Sequence, residues 1–194
     1  GIQPDIIICR TEADLDEDNR KKIAMFCNVE RKNVVAFRDV AHTIYECPLD
    51  LRRDKIDRLV VDKLGLGHTP SPALEDWERF VQRVIHPKHK VTIAVAGKYI
   101  ELQDAYKSIY ESLIHAGAHH DTKVQIVRVE AEAIEDHGAK AVIGDVDGIL
   151  VPGGFGDRGI EGKILAAQYA REKKIPYLGI CLGMQIATIE YARN

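Results

Sequence analysis

Residues 176–185 read Pro176-Tyr177-Leu178-Gly179-Ile180-Cys181-Leu182-Gly183-Met184-Gln185, an apolar run that predicts a strand over Pro176–Ile180 feeding directly into a helix over Leu182–Tyr191. A cysteine between two glycines at such a junction follows the G-x-nucleophile-x-G pattern. The sharp turn lifts the central side chain out of the sheet, and the glycines remove the Cβ atoms that would clash. The helix that follows aims its first N–H groups and the positive end of its dipole at the same place, favouring thiolate over thiol. A lone cysteine is more often a small apolar filler of a buried turn. The flanking glycines, the preceding strand and a second glycine-rich turn upstream make Cys181 the leading candidate nucleophile.

That second turn is Val151-Pro152-Gly153-Gly154-Phe155-Gly156, placed directly after a strand over Asp147–Val151. A loop of this kind leaves backbone N–H groups unpaired and unobstructed, as an oxyanion requires during acyl transfer. Gly159–Lys174 carries a helical pattern (Ile160, Ile164, Leu165, Ala167) and returns the chain to the strand before Cys181. Both loops thus belong to one βαβ unit and end at the same edge of a parallel sheet, where open α/β sheets carry their sites.

Working outward, Lys90–Gly97 reads as a first strand, followed by a helix over Asp104–Ala118, a strand over Lys123–Val129, a short helix near Ala131–His137 and the strand Gly148–Val151. Strands alternating with helices predict a parallel, flavodoxin-like sheet. Nearer the start, the pattern predicts a strand over residues 5–9, a helix over Asp16–Asn28, a strand over Val34–Phe37 and a helix over Pro48–Leu64 ended by Gly65 and Gly67. Gly67-His68-Thr69-Pro70-Ser71-Pro72 cannot continue a helix. Ala73–Ile85 then reads as a helix with Leu74, Trp77, Val81 and Val84 on one face, stopped by His86-Pro87. The expected organisation is a unit over 1–67, a linker with a helix over 68–89 and a second unit over 90–194.

At 194 residues and 45% apolar content the chain can bury a core. Its four cysteines, at positions 9, 27, 47 and 181, have neither metal-ligand spacing nor a disulfide framework, which suits a reducing cytosol. A net charge of −3 makes no electrostatic case for nucleic acid or a membrane surface, and no apolar run is long enough to span a bilayer.

Pro152-Gly153-Gly154-Phe155-Gly156 followed by Pro176 to Gln185 resembles a class I glutamine amidotransferase. The stretch Gly97-Lys98-Tyr99-Ile100-Glu101-Leu102-Gln103-Asp104-Ala105-Tyr106-Lys107-Ser108 narrows the resemblance to the CTP synthase family. Gly1-Ile2-Gln3-Pro4-Asp5 and Lys22-Ile23-Ala24-Met25-Phe26-Cys27-Asn28-Val29 are similar to the end of that family's synthetase domain.

The resemblance implies an α/β chain: the end of a Rossmann-like synthetase (amidoligase) domain, then the first part of a flavodoxin-like glutaminase domain. It implies an enzyme that aminates UTP to CTP with ATP and ammonia released from glutamine, activated by GTP and inhibited by CTP. By the same resemblance Cys181 is the nucleophile, and Gly153, Gly154, Leu182, Gly183, Met184 and Gln185 form the oxyanion and glutamine site. Lys22 matches a lysine that contacts UTP or CTP, whereas on its own it reads as part of a solvated basic face, Arg20-Lys21-Lys22. Arg38, Asp39 and Val40, with Arg10, match the ATP-binding region. Phe155 and Arg158 match the surroundings of the GTP site and ammonia passage, although Asp157 stands where some relatives carry tyrosine. The resemblance further implies a cytoplasmic homotetramer using ATP with Mg2+, whose metal ligands are expected outside this chain.

It also implies that the chain is a piece of the whole enzyme. It opens without methionine, and the family's catalytic histidine and glutamate are expected beyond Asn194, so the piece alone is expected to be inactive. Two other readings compete: an intracellular cysteine hydrolase with a similar elbow, and a non-catalytic flavodoxin-like regulatory module. The first leaves the Gly97–Ser108 stretch and the N-terminal unit unexplained.

Overall fold

Arg10 and Thr11 are polar, yet they belong to the first strand. In this computed structural model, which describes residues 2–67, 70, 72–100 and 102–194, β1 runs Ile7–Thr11 rather than 5–9. Pairing sets its length, because Arg10 and Thr11 lie in parallel register with Phe37 and Arg38 of β2 (Val34–Arg38). Between the strands lies α1 (Glu17–Cys27), started by the Asp16 side chain, which accepts the Asn19 N–H at 2.7 Å, and ended by Asn28 at φ 51°.

The helix expected over Pro48–Leu64 is broken into α2 (Cys47–Arg53) and α3 (Ile56–Lys63) at Lys55, whose φ is 58°. Neither glycine nor proline marks this break. The left-handed residue costs about 1–2 kcal/mol, and burial of Ile56 immediately after it offsets that by a similar amount. A short 3₁₀ turn, Ile44–Glu46, precedes α2 and is closed by a reciprocal Thr43–Glu46 capping box. α4 (Glu75–Ile85) begins two residues later than its apolar pattern suggests. It packs within the same unit: Trp77 Nε1 donates to the Tyr45 carbonyl at 2.8 Å, and Val81 is buried. His68, Thr69 and Ser71 of the expected linker, and Glu101, lie outside the described residues.

The chain divides into Gly1–Ile85 and His86–Asn194. In the second unit β3 (His89–Gly97) is followed by a 3₁₀ turn, Gln103–Tyr106, and α5 (Lys107–His119). Then come β4 (Thr122–Glu130), α6 (Ala131–His137), α7 (Ala139–Ile143), β5 (Gly148–Val151), α8 (Ile160–Lys173), β6 (Tyr177–Gly179) and α9 (Leu182–Arg193). α7 has no counterpart in the sequence reading. It is one short turn of helix between Gly138 and Gly144, both at positive φ, too brief for an apolar period to register.

The sheet order is β4-β3-β5-β6 and every pair is parallel. Counted within the unit this is order 2-1-3-4, the flavodoxin-like arrangement, with its switch point between β3 and β5. Side chains alternate across the sheet. Ala94, Ala96, Ile149 and Val151 face a core built with Ile134 of α6 and Ala166 and Ala170 of α8. Val95 and Leu150 face the other way, onto Tyr106 and Tyr110. Burial of the central strands on both faces explains why they read as continuous apolar runs rather than as alternation.

Tyr106 ties β3 to the loop after it: its hydroxyl accepts the Lys98 N–H at 3.1 Å, and its ring lies where a side chain on Gly97 would project. A Cβ at Gly97 would sit 2.6 Å from the ring. Gly97→Ala is therefore expected to destabilise the protein by about 1–3 kcal/mol through overpacking, read as a lowered thermal midpoint.

Candidate active site

The elbow arises because β6 must turn into α9 in two residues. Cys181 takes φ 54° and ψ −108°, a conformation that non-glycine residues avoid at a cost of about 1–3 kcal/mol. Such strain persists only where the surroundings impose it, and here they do. A Cβ on Gly179 would lie 2.3 Å from the carbonyl carbon of Gly183, and one on Gly183 would lie 2.0 Å from the Val151 carbonyl oxygen. The two glycines let the first turn of α9 sit directly on β5 and β6. The Ile180 N–H donates to the Val151 carbonyl at 3.0 Å, and the Met184 and Gln185 N–H groups donate to the Cys181 carbonyl. Tyr177 Oη donates to the Gly183 carbonyl at 2.8 Å, and burial pushes the Tyr177 phenol up to about 12, so it stays a neutral donor.

The outcome is a thiol that stands exposed, whereas Cys9, Cys27 and Cys47 are half-buried. Leu182 is the first residue of α9, so its N–H has no acceptor within the helix.

The loop after β5 comes to the same place. A side chain on Gly153 would contact Cys181, 3.4 Å from its Cβ and 3.9 Å from its Sγ. One on Gly154 would meet the Leu182 side chain at 3.6 Å and Lys163 Nζ at 3.3 Å. Gly153, Gly154, Cys181, Leu182 and Gly183 are thus brought together, while Met184 and Gln185 lie exposed one step along α9.

Phe155 is 86% exposed at the crest of the loop. Below it, Lys98 Nζ donates to the Phe155 carbonyl at 2.8 Å, and Arg158 Nη2 donates to the Lys98 carbonyl at 3.0 Å. These two cations anchor the loop at the β3–β5 switch point. Lys98 had no role in the sequence reading, because a lysine just past a strand looks like any solvated residue. Lys163, in the first turn of α8, was missed for the same reason, yet it is fully buried.

In the first unit, Arg38, Asp39 and Val40 line a cleft of about 770 Å³ at the carboxyl end of β2. Arg10 Nε donates to Asp39 at 2.5 Å, which holds that carboxylate below its ordinary range, and Arg38 pairs with Asp14. Lys22 lies exposed on α1, outside the residues lining the cleft. Among the described residues no group of three or more His, Cys, Asp or Glu gathers to hold a metal ion, and no helix is long and apolar enough to cross a membrane.

Two family models match separate parts of the chain. Residues 1–66 match the model of the CTP synthase N-terminus, and residues 101–194 match class-I glutamine amidotransferase. The chain is 53% identical to CTP synthase of Methanocaldococcus jannaschii, over all of this chain and 37% of that protein. It is 54% identical to CTP synthase of Caldanaerobacter subterraneus subsp. tengcongensis, over all of this chain and 36% of that protein. The solved glutaminase domain of Trypanosoma brucei CTPS with bound acivicin is 45% identical, with a TM-score of 0.49 over 54% of this chain and 41% of that one. The chain spans a little over a third of the length of the curated relatives it matches. Matched across its whole length by these relatives, and bearing both family segments in order, the chain belongs to the CTP synthase family.

Proposed function

We propose that this chain supplies the nucleophile and oxyanion loop of glutamine hydrolysis to a CTP synthase, which uses the released ammonia and ATP to convert UTP to CTP. One observation carries the reading: a strained, exposed Cys181 faces a two-glycine loop across less than the width of a side chain.

The Cys181 thiolate adds to the side-chain amide carbon of glutamine, and the carbonyl π pair moves onto oxygen. The Leu182 N–H and a backbone N–H of the Gly153-Gly154 turn hold that oxyanion. When it collapses, the C–N bond breaks, the nitrogen takes from the family's catalytic histidine the proton that the Cys181 thiol had given up and leaves as ammonia, and Cys181 keeps the γ-glutamyl group as a thioester. Water then hydrolyses the thioester and restores the thiol. Gly183, Met184 and Gln185 bind the rest of the glutamine along the first turn of α9.

The same reading assigns the other residues. Arg38, Asp39, Val40 and Arg10 bind ATP at the first unit's cleft, and Lys22 contacts UTP or the feedback inhibitor CTP. Phe155 and Arg158 answer to the activator GTP and border the ammonia passage. In this reading Mg2+ accompanies the ATP. The organisation is a synthetase segment over 1–67, a linker with a helix over 68–89 and a glutaminase segment over 90–194, within a cytoplasmic homotetramer.

In the full-length enzyme, iodoacetamide is expected to label Cys181 faster than Cys9, Cys27 or Cys47, and saturating glutamine is expected to slow that labelling alone. Mass spectrometry of the labelled peptides reads both. Equal labelling of all four thiols, or no protection by glutamine, sinks the proposal.

A further inference from the structure

Lys163 is the one lysine the structure reports as fully buried, and its ammonium has no hydrogen-bond partner among the described residues. It belongs to the first turn of α8, and Nζ occupies the space a side chain on Gly154 would need, 3.3 Å from that Cβ position. The Leu182 side chain closes the same point. The group therefore lies behind Gly154, at a point the Leu182 side chain also reaches, beside the turn that holds the oxyanion in the mechanism above.

An ammonium carries three donors and no acceptor, and leaving it buried and unpaired is among the most unfavourable arrangements a side chain can take. Burial accordingly holds Lys163 below the ordinary lysine range; Lys98, nearby after β3, pushes the same way, and Glu130 at the end of β4 opposes it. If packing alone were required here, leucine or methionine would fill the volume without that penalty.

We propose that Lys163 is a positioning residue of the oxyanion loop, a buried cation set behind Gly154 and Leu182 whose field favours the negative charge that forms on glutamine's carbonyl oxygen. Among the described residues no acceptor hydrogen-bonds the ammonium, and Glu130 only partly offsets its burial, so the interaction strengthens as the tetrahedral intermediate forms. An interaction stronger in the transition state than in the ground state raises kcat rather than lowering KM. Folding has already desolvated and oriented the ammonium, so little reorganises during the reaction. Lys163 transfers no proton and touches no reacting atom. The inference rests on Cys181 being the glutaminase nucleophile.

The test uses the full-length enzyme with Lys163→Met, which keeps the length and removes the charge, and with Lys163→Gln as a second variant. Glutamine-dependent turnover is expected to fall about 10- to 100-fold in kcat, less than for loss of a direct oxyanion donor. KM for glutamine and the ammonia-dependent rate should stay near those of the parent. The thermal midpoint of Lys163→Met should be unchanged or raised, because an unpaired buried charge has been replaced by an apolar group. A parent-like kcat in both variants overturns the proposal, as does an equal fall in glutamine- and ammonia-dependent rates with a lowered midpoint, the signature of a merely structural lysine. Cys181→Ala is assayed alongside. Survival of glutamine hydrolysis there overturns the nucleophile assignment and this inference with it, whereas its loss beside a parent-like Lys163→Met overturns this inference alone.

Discussion

Replacing Cys181 by alanine in the full-length enzyme is expected to reduce glutamine-dependent CTP formation by about 10⁴-fold or more, the scale on which covalent nucleophiles matter, and to leave ammonia-dependent synthesis intact. The split follows from where the residue sits. Cys181 caps α9 at the carboxyl edge of the second unit's sheet, and nothing in the proposed amination of UTP passes through it. The substitution should scarcely alter stability, because alanine meets the same positive-φ demand and the side chain is exposed. Steady-state assays with glutamine and with ammonium salts, run on one preparation, read both predictions. Loss of both activities together would mean that the variant had misfolded or that the site had been misassigned; the thermal midpoint separates those outcomes.

Gly183→Ala is expected to act by the opposite route, through the fold. The added methyl would stand 2.0 Å from the Val151 carbonyl oxygen and 2.9 Å from its carbon, and neither can retreat, because Val151 is buried within β5. α9 must then lift from the sheet, breaking the Ile186 contact with Ile164 and Ala167 and straining the Tyr177–Gly183 hydrogen bond. The expected loss is about 3 kcal/mol or more, at the upper end for overpacking, or roughly 10 °C in the midpoint of a unit this size. Glutamine-dependent activity should vanish with it. Hydrogen exchange locates the damage, since amides of β5, β6 and α9 should lose protection while those of β1 and β2 keep theirs. A Gly183→Ala protein with the parent's midpoint would show that helix and strand do not approach as closely as described.

The two variants separate what a motif says from what a fold requires. The glycines around Cys181 are legible in sequence as a turn, and the motif identifies the central residue. That Gly183 is there for the Val151 carbonyl can be seen only once α9 is laid on β5.

Much of the second unit was legible for a physical reason. A parallel strand buried on both faces is a short apolar run, and the helices between such strands are long enough for a period to show. β3, β5 and the elbow were readable on those terms, as were the meeting of the Gly153 loop with Cys181 and the parallel pairing that brings them to one edge. Elements governed by pairing or by compensation were not. β1 extends into Arg10 and Thr11 because β2 is beside them, the helix after Pro48 breaks at a lysine, and α7 is too short to carry a period. The residues proposed to bind nucleotide lie between these cases: Arg38, Asp39 and Val40 line one cleft, while Lys22 sits apart from its lining.

By itself, then, the sequence determined the alternation of strands and helices, the strand-to-helix turn at Cys181 and the membership of a family, because apolar period and glycine placement are local properties that any fold must respect. The tertiary structure alone decided which charged residues lie beside the candidate site. Lys98 and Lys163 look alike in the chain, each directly after a glycine, and only packing shows one tethering the Phe155 carbonyl and the other sealed behind Gly154 with no acceptor among the described residues. Burial of a charge depends on what arrives from elsewhere in the chain, and no period records it.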